Sequence, residues 1–370
     1  MEGLGMKTLF GGIYDKKRVL VTGHTGFKGS WLSLWLNELG AEVTGYALPP
    51  DTSPSHYELL GLPVESLIGD VRDPEAFAGV MERRQPEIVF HLAAQPLVRR
   101  SYKIPRETFE TNIMGTVNVL EACRKTASVT AIINVTSDKC YENREWARGY
   151  KENDAMGGFD PYSASKGCSE LITGAYRKSF FTSDCPDDRR ILLASARAGN
   201  VIGGGDWAED RLVPDLIRAL ANREKAIIRN PNATRPWQHI LEPLSGYLQL
   251  GQMLLQGNAV YADSWNLGPK DETEVTVGEL AERCRNCCPG MDYEVRQCEK
   301  ALHEADSLKL DCSKANTKLR WKGVWDSSTA VDKTVKWYGD YYDKGIVNSM
   351  NDIAQYVADA EKDGIEWVKN

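Results

Sequence analysis

The sequence predicts an α/β protein, a doubly wound and mainly parallel sheet with a smaller, mostly helical C-terminal lobe. Three observations predict it. Short β-branched or apolar runs alternate with amphipathic segments as far as Ala196. The first run, Val19-Leu20-Val21, ends in Gly23, Gly26 and Gly29, and a helical pattern of Trp31, Leu32, Leu34, Trp35, Leu36 and Leu39 follows. Beyond Ala196 the alternation stops and short helical patterns close the chain.

In order, strand patterns cover Arg18 to Thr22, Ala41 to Tyr46, Glu65 to Gly69, Ile88 to Leu92, Ala131 to Thr136 and Ile191 to Ala196. Helical patterns between them cover Gly29 to Leu39, Pro74 to Arg84, Arg106 to Ala127 and Pro161 to Phe181. Proline suits the first helical position, where its missing N–H costs nothing. Strand–helix–strand repeats imply right-handed crossovers, and ligands in such sheets bind at the carboxyl ends of the strands. Glycines 203, 204 and 205 and the charged stretch to Arg211 read as a loop. Helices are then expected at Pro214 to Asn222, Glu242 to Leu255, Val277 to Cys288, Cys312 to Leu319, Ser327 to Tyr342 and Asn348 to Lys362, with short strands near Ala226 to Arg229 and Trp265 to Leu267. The expected division is a Rossmann-type domain over 1–196, to which segments near 239–262 return, and a substrate-binding lobe over 197–370. Met1 to Lys17 reads as a disordered or surface-lying lead-in.

The 370 residues are 42% apolar and 26% charged, as in a soluble globular protein. A net charge of −7 disfavours nucleic acid or a membrane surface as partner. No apolar run is long enough to span a bilayer, and the start lacks a signal-peptide core, so a cytoplasmic chain with reduced thiols is expected. Cys284, Cys287 and Cys288 have no second cysteine pair or nearby histidine at ligand spacing, so no metal is expected; the other cysteines, at 123, 140, 168, 185, 298 and 312, are scattered.

Three stretches carry chemistry. The glycine turn suits a dinucleotide: one glycine permits the bend, one lets the backbone approach a pyrophosphate, and one lets helix and strand pack closely. The helix N-terminus adds N–H groups, here of Phe27 and Lys28, and a partial positive charge. Tyr162 and Lys166 share one face of a helix, so an ammonium near the phenol is expected to lower its pKa and let it take a proton from a substrate hydroxyl. Ser137, at the end of the fifth strand, can hydrogen-bond a reacting oxygen.

These stretches, together with Gly69-Asp70, His91-Leu92-Ala93-Ala94-Gln95, Thr111-Asn112 and Gly115-Thr116, resemble the extended short-chain dehydrogenase/reductase superfamily over roughly residues 16 to 340. Gly-His-Thr-Gly-Phe-Lys-Gly, the run from Arg197 to Trp207 and Arg235-Pro236-Trp237-Gln238-His239 resemble its nucleotide-sugar 4,6-dehydratases, in particular those acting on CDP-glucose. The resemblance implies NAD as cofactor, held by Gly23, Gly26, Phe27, Lys28, Gly29, Asp70, Val71, Ala93, Ala94, Gln95, Asn112, Tyr162 and Lys166. It implies a catalytic set of Ser137, Asp138, Tyr162 and Lys166; Lys139 stands where relatives carry glutamate, a departure, and is expected to act at C5 as base or enolate stabiliser. For the nucleotide sugar it implies Gln95, Asn200, Arg211, Leu212, Val213, Arg218 and Arg235, with Arg100 and Ser101 contacting sugar or ordering the site. It also implies a homodimer through the two long helices, or a tetramer, and deoxysugar synthesis for lipopolysaccharide O-antigen as the setting. The second strand ends without the acid that normally takes the NAD ribose, yet no Arg or Lys between Ala41 and His56 suits a 2′-phosphate, so NAD is expected over NADP. A nucleotide-sugar 4-epimerase, which needs no acid at 138, is one alternative, and a dehydratase acting on a different nucleotide sugar is the other.

Overall fold

A computed structural model describes residues 5–181, 190–270, 275–288, 290–296 and 308–369; Cys185 and Cys298 lie outside them. Its centre is a sheet of β1 (Arg18–Thr22), β2 (Glu42–Ala47), β3 (Glu65–Ile68), β4 (Ile88–His91), β5 (Ala131–Val135), β6 (Leu192–Ala198) and β11 (Ser264–Leu267). Their order is β11-β6-β5-β4-β1-β2-β3, and every neighbouring pair is parallel. Such strands are buried on both faces, and alternate residues show it. Val19, Val21, Ile88, Phe90 and Ile133 join one core, while Leu20, Val89, Ile132 and Leu193 join the other.

The first core is covered by α1 (Phe27–Glu38) with its Trp31 and Trp35; the second by α3 (Pro74–Arg84), with Phe77 and Met81. Between them in sequence, the short α2 (His56–Leu60) is capped by Ser55, which the apolar patterning did not reveal. Nor did it reveal α4 (Val98–Lys103). The expected single helix from Arg106 to Ala127 is α5 (Pro105–Phe109), a wide turn over Glu110–Met114 and α6 (Gly115–Lys125). In the wide turn the Gly115 N–H bonds the Glu110 carbonyl five residues back, and Gly115 must be small because a Cβ would lie 2.8 Å from Val71. α7 (Pro161–Ser179) is started by Pro161 and by Asp160, whose carboxylate accepts the Ser163 N–H at 2.9 Å.

After β6 the chain forms β7 (Val201–Ile202), α8 (Leu212–Asn222), β8 (Ala226–Ile228), β9 (Thr234–Arg235), β10 (Gln238–His239) and the buried α9 (Leu241–Leu255). Past β11 come β12 (Val275–Thr276), α10 (Val277–Cys287), β13 (Tyr293–Val295), α11 (Ser327–Lys344) and α12 (Ser349–Lys362). The short strands pair as β7–β10, β9–β12 and β8–β13.

The lead-in is not surface-lying over its described part. Leu9, Phe10 and Tyr14 are buried, Phe10 stacks on Trp367 at 5.0 Å, and the Tyr14 hydroxyl donates to the Leu248 carbonyl at 2.6 Å. The two ends of the chain thus share one aromatic cluster.

Candidate functional site

The turn between β1 and α1 is built by contact. Gly23 has φ +78°, and a Cβ there would lie 2.8 Å from the Ala93 nitrogen; at Gly29 a Cβ would lie 2.0 Å from the Gly23 carbonyl oxygen. Gly26 differs: the nearest protein atom to its Cβ would be 3.4 Å away. Gly26 is also the N-cap of α1 and supplies no side chain to its first N–H groups. An open, uncapped helix start fits a pyrophosphate. Burial, then the Arg211 charge, pushes Lys28 beside it down to about 7.

At the end of β5, Ser137 caps a short turn by accepting the Lys139 N–H at 3.2 Å, and its hydroxyl donates to Asp138 Oδ1 at 2.8 Å. Asp138 is 1% exposed, and its Oδ2 has no partner. The Lys139 amine donates to Asn200 Oδ1 at 3.3 Å and stands 3.7 Å from Asp138 Oδ1. The buried Lys166 amine donates to the Val135 carbonyl at 3.3 Å, and burial lowers its pKa to about 8. Tyr162 departs from expectation: burial, the largest influence, pushes its phenol up to about 12. The Ser137 hydrogen bond and the Arg211 charge act the other way. A cation near a phenol lowers its pKa only if it outweighs desolvation, and in the protein alone it does not.

One cleft of about 1520 Å³ is lined by Gly23, Gly26, Phe27, Lys28 and Gly29, by Asp70, Val71, Ala93 and Ala94, and by Ser137, Asp138, Lys139, Tyr162 and Lys166. Asn200, Arg211, Leu212, Val213, Arg218 and Arg235 line it too. Gln95 and Asn112 sit behind its wall. The Gln95 N–H donates to Asn112 Oδ1 at 2.8 Å, and the Gln95 side chain bonds Leu97 and Thr108. They order the strip after β4 rather than reach into the cleft. Ser101 is fully buried and bonds the Val98 carbonyl. The Asp70 carboxylate is occupied by Arg72, through its backbone N–H at 2.9 Å and its Nε at 2.8 Å.

The cleft arginines meet acids that sequence reasoning missed. Arg211 pairs with Asp206 at 2.8 Å, Arg218 with Asp215, and Arg100 with Asp51 at 2.9 Å; Asp210 lies 3.0 Å from Arg229 and 3.4 Å from Arg99. Only Asp215/Arg218 had a local signal, their spacing of three on a helix. Asp51 lies four residues beyond β2 and supplies an acid that the strand end itself lacks. Among the described residues no three His, Cys, Asp or Glu side chains gather to hold a metal ion; Cys287 bonds Asp332 instead.

Comparison with known proteins places this geometry among nucleotide-sugar enzymes. The family model for GDP-mannose 4,6 dehydratase matches residues 20–334. A CDP-glucose 4,6-dehydratase of Salmonella typhimurium is 50% identical over 349 residues, covering 93% of this chain and 97% of that protein. A dTDP-glucose 4,6-dehydratase of the same organism is 23% identical, over 73% of this chain and 77% of that one. Among solved structures, the dTDP-glucose 4,6-dehydratase DesIV of Streptomyces venezuelae, with NAD and TYD bound, superposes with a TM-score of 0.75 at 22% identity, over 88% of this chain and 97% of that one. A UDP-glucose 4-epimerase of Thermotoga maritima reaches 0.74 at 21% identity, over 88% and 99%. Dehydratase and epimerase share the fold, so the fold alone does not separate the two chemistries.

Proposed function

This chain belongs to the GDP-mannose 4,6 dehydratase family, and from that premise we propose that it is an NAD-dependent hydro-lyase converting CDP-glucose to CDP-4-keto-6-deoxyglucose and water. The observation that carries the reading is a shared cleft: the glycine turn, Tyr162 and Asp138 line one space. When bound, NAD supplies a hydride acceptor for C4 of the sugar and the donor that returns the hydride to C6.

The turn from Gly23 to Gly29 would hold the pyrophosphate, and Val71, Ala93 and Ala94 would wall the rest of the cofactor. Tyr162 takes the proton of the C4 hydroxyl, and Ser137 hydrogen-bonds the same oxygen. Lys166 stands one helical turn from Tyr162, and the positive ring of a bound cofactor would add the stabilisation of phenolate that the protein alone lacks. The 4-ketone acidifies the C5 proton; Lys139, as the neutral amine, takes it and gives it back to C5 when hydride is added at C6. Asp138 gives a proton to the departing C6 hydroxyl. Asn200, Arg211, Arg218 and Arg235, with the helix start at Leu212 and Val213, hold the nucleotide; planar guanidinium groups suit its diphosphate.

Residues 1–196 and the return near 239–262 carry the cofactor, and 197–370 mainly carry the sugar nucleotide. Phe109, Met114 and Leu171 are 37%, 51% and 62% exposed on α5–α7, which supports a homodimer across these helices. The cysteines at 123, 140, 168, 284, 287 and 288 are free thiols, which suits a cytoplasmic setting. Asp138 favours dehydration over 4-epimerisation, which has no hydroxyl to expel. Purified protein incubated with CDP-, dTDP-, UDP- and GDP-glucose should yield the base-absorbing 4-keto product from the CDP sugar; formation of a C4 epimer without that chromophore would reject the reading.

A further inference from the structure

Behind the reaction centre lies a buried ion pair to which the mechanism above gives no role. Glu170 follows Lys166 by four residues and Tyr162 by eight on α7, so all three share one helical face. Glu170 is 4% exposed and Arg197, on β6, 3%. Arg197 Nη2 donates to Glu170 Oε2 at 2.7 Å. A buried pair of this kind often does no more than close its own charges. This one also grips the chemical turn. The Glu170 carboxylate accepts the hydroxyls of Thr136 and of Ser195, the latter at 2.8 Å, and Thr136 immediately precedes Ser137. Arg197 Nη1 donates to the Tyr141 hydroxyl at 2.7 Å and to the Glu152 carbonyl at 3.0 Å, and Tyr141 immediately follows the turn of Asp138 to Cys140.

We propose that the Glu170–Arg197 pair is a positioning device: it clamps both ends of the turn bearing Ser137, Asp138 and Lys139, and sets a fixed carboxylate one helical turn behind Lys166. The inference rests on the Tyr162–Lys166 reading given above. Burial alone would raise Glu170, and Arg197 with the hydroxyl donors holds it below the usual carboxylate range, so it stays charged. Of the groups facing Lys166, Glu170 and then Cys140 favour its ammonium against burial; Lys28 and His91 also feel the Lys166 charge. Neither Glu170 nor Arg197 lines the cleft, so neither touches substrate.

The test compares Glu170→Gln, Thr136→Val and Tyr162→Phe with wild type. Glu170→Gln should lower kcat about tenfold or more, while calorimetry gives a Kd for CDP within about twofold of wild type. Its alkaline limb of kcat against pH should move down by about one unit, because the amine loses its fixed counter-charge. Thr136→Val cuts one clamp and no charge, so kcat should fall without movement of that limb. If Glu170→Gln does not fold, Glu170→Gln/Arg197→Met, which removes both charges, carries the same two readings. A folded variant with wild-type kcat and an unmoved limb overturns the proposal, as does a loss of kcat equal to the loss of folded, CDP-binding protein. Normal turnover by Tyr162→Phe overturns the catalytic reading itself; an inactive Tyr162→Phe beside a wild-type Glu170→Gln overturns the clamp alone.

Discussion

Gly26→Ala and Gly29→Ala each add one methyl to the same turn, and the surroundings separate their effects. At Gly29 the new Cβ would lie 2.0 Å from the Gly23 oxygen and 2.7 Å from its carbonyl carbon. Both are backbone, so helix or turn must move. Overpacking of this kind costs about 1–3 kcal/mol. The unfolding entropy of a chain of 370 residues is about 0.8 kcal/mol/K, which makes the expected fall in Tm about 1–4 °C. Displacing the turn should also weaken the cofactor. At Gly26 the nearest protein atom is 3.4 Å from the new Cβ, an ordinary contact, and the backbone is extended at φ −79°. Tm should therefore hold within about 1 °C. The methyl stands in the cleft, however, where the pyrophosphate must approach. Cofactor Kd should rise at least about tenfold, or about 1.4 kcal/mol. Thermal melts and NADH fluorescence titration read the two quantities separately. If Gly26→Ala binds NADH as wild type does, the cofactor is not seated on this turn and the reasoning fails.

Lys139→Met should still oxidise C4 but stall before elimination, so NADH absorbance accumulates and C5 deuterium exchange from heavy water is lost; normal turnover would remove Lys139 from the chemistry. Asp138→Asn should lower kcat by about 10²–10³ while keeping that exchange, and a small effect would deny Asp138 its role as acid. Burial holds His24 at about 4 and His56, His91 and His239 at about 3, against an ordinary 6.5. These groups stay neutral in the folded chain while the unfolded chain takes up protons below 6.5. Their contribution is thus present above that pH and lost as pH falls from 6.5 toward 4 for His24 and toward 3 for the other three. Denaturant unfolding should show stability falling by up to about 1.4 kcal/mol per pH unit for each histidine, and a flat profile between pH 7 and 5 would contradict their burial.

Much of the architecture was legible because parallel strands are buried on both faces and read as apolar runs; β1 and α3 have the bounds their patterns suggest. The glycine turn was legible because backbone contact allows no Cβ at Gly23 or Gly29. What escaped was long-range. Leu9-Phe10 is a short apolar pair before two glycines, and the packing of Phe10 on Trp35 and Trp367 makes it core. The wide turn before Gly115 answers to Val71, which no helical periodicity encodes. The Arg100–Asp51 pair joins segments 49 residues apart. For Tyr162, spacing named a neighbouring cation but not the burial that raises its phenol. Gln95 resembles a ligand contact by its motif, yet its amide is taken up by Leu97 and by Thr108 on α5.

The most direct test follows one atom. CDP-glucose carrying deuterium at C4 should give a 4-keto-6-deoxy product with that deuterium at C6, because the hydride lifted opposite Tyr162 returns within the same cleft. Deuterium retained at C4 of an epimerised sugar, or released to solvent, would contradict the account.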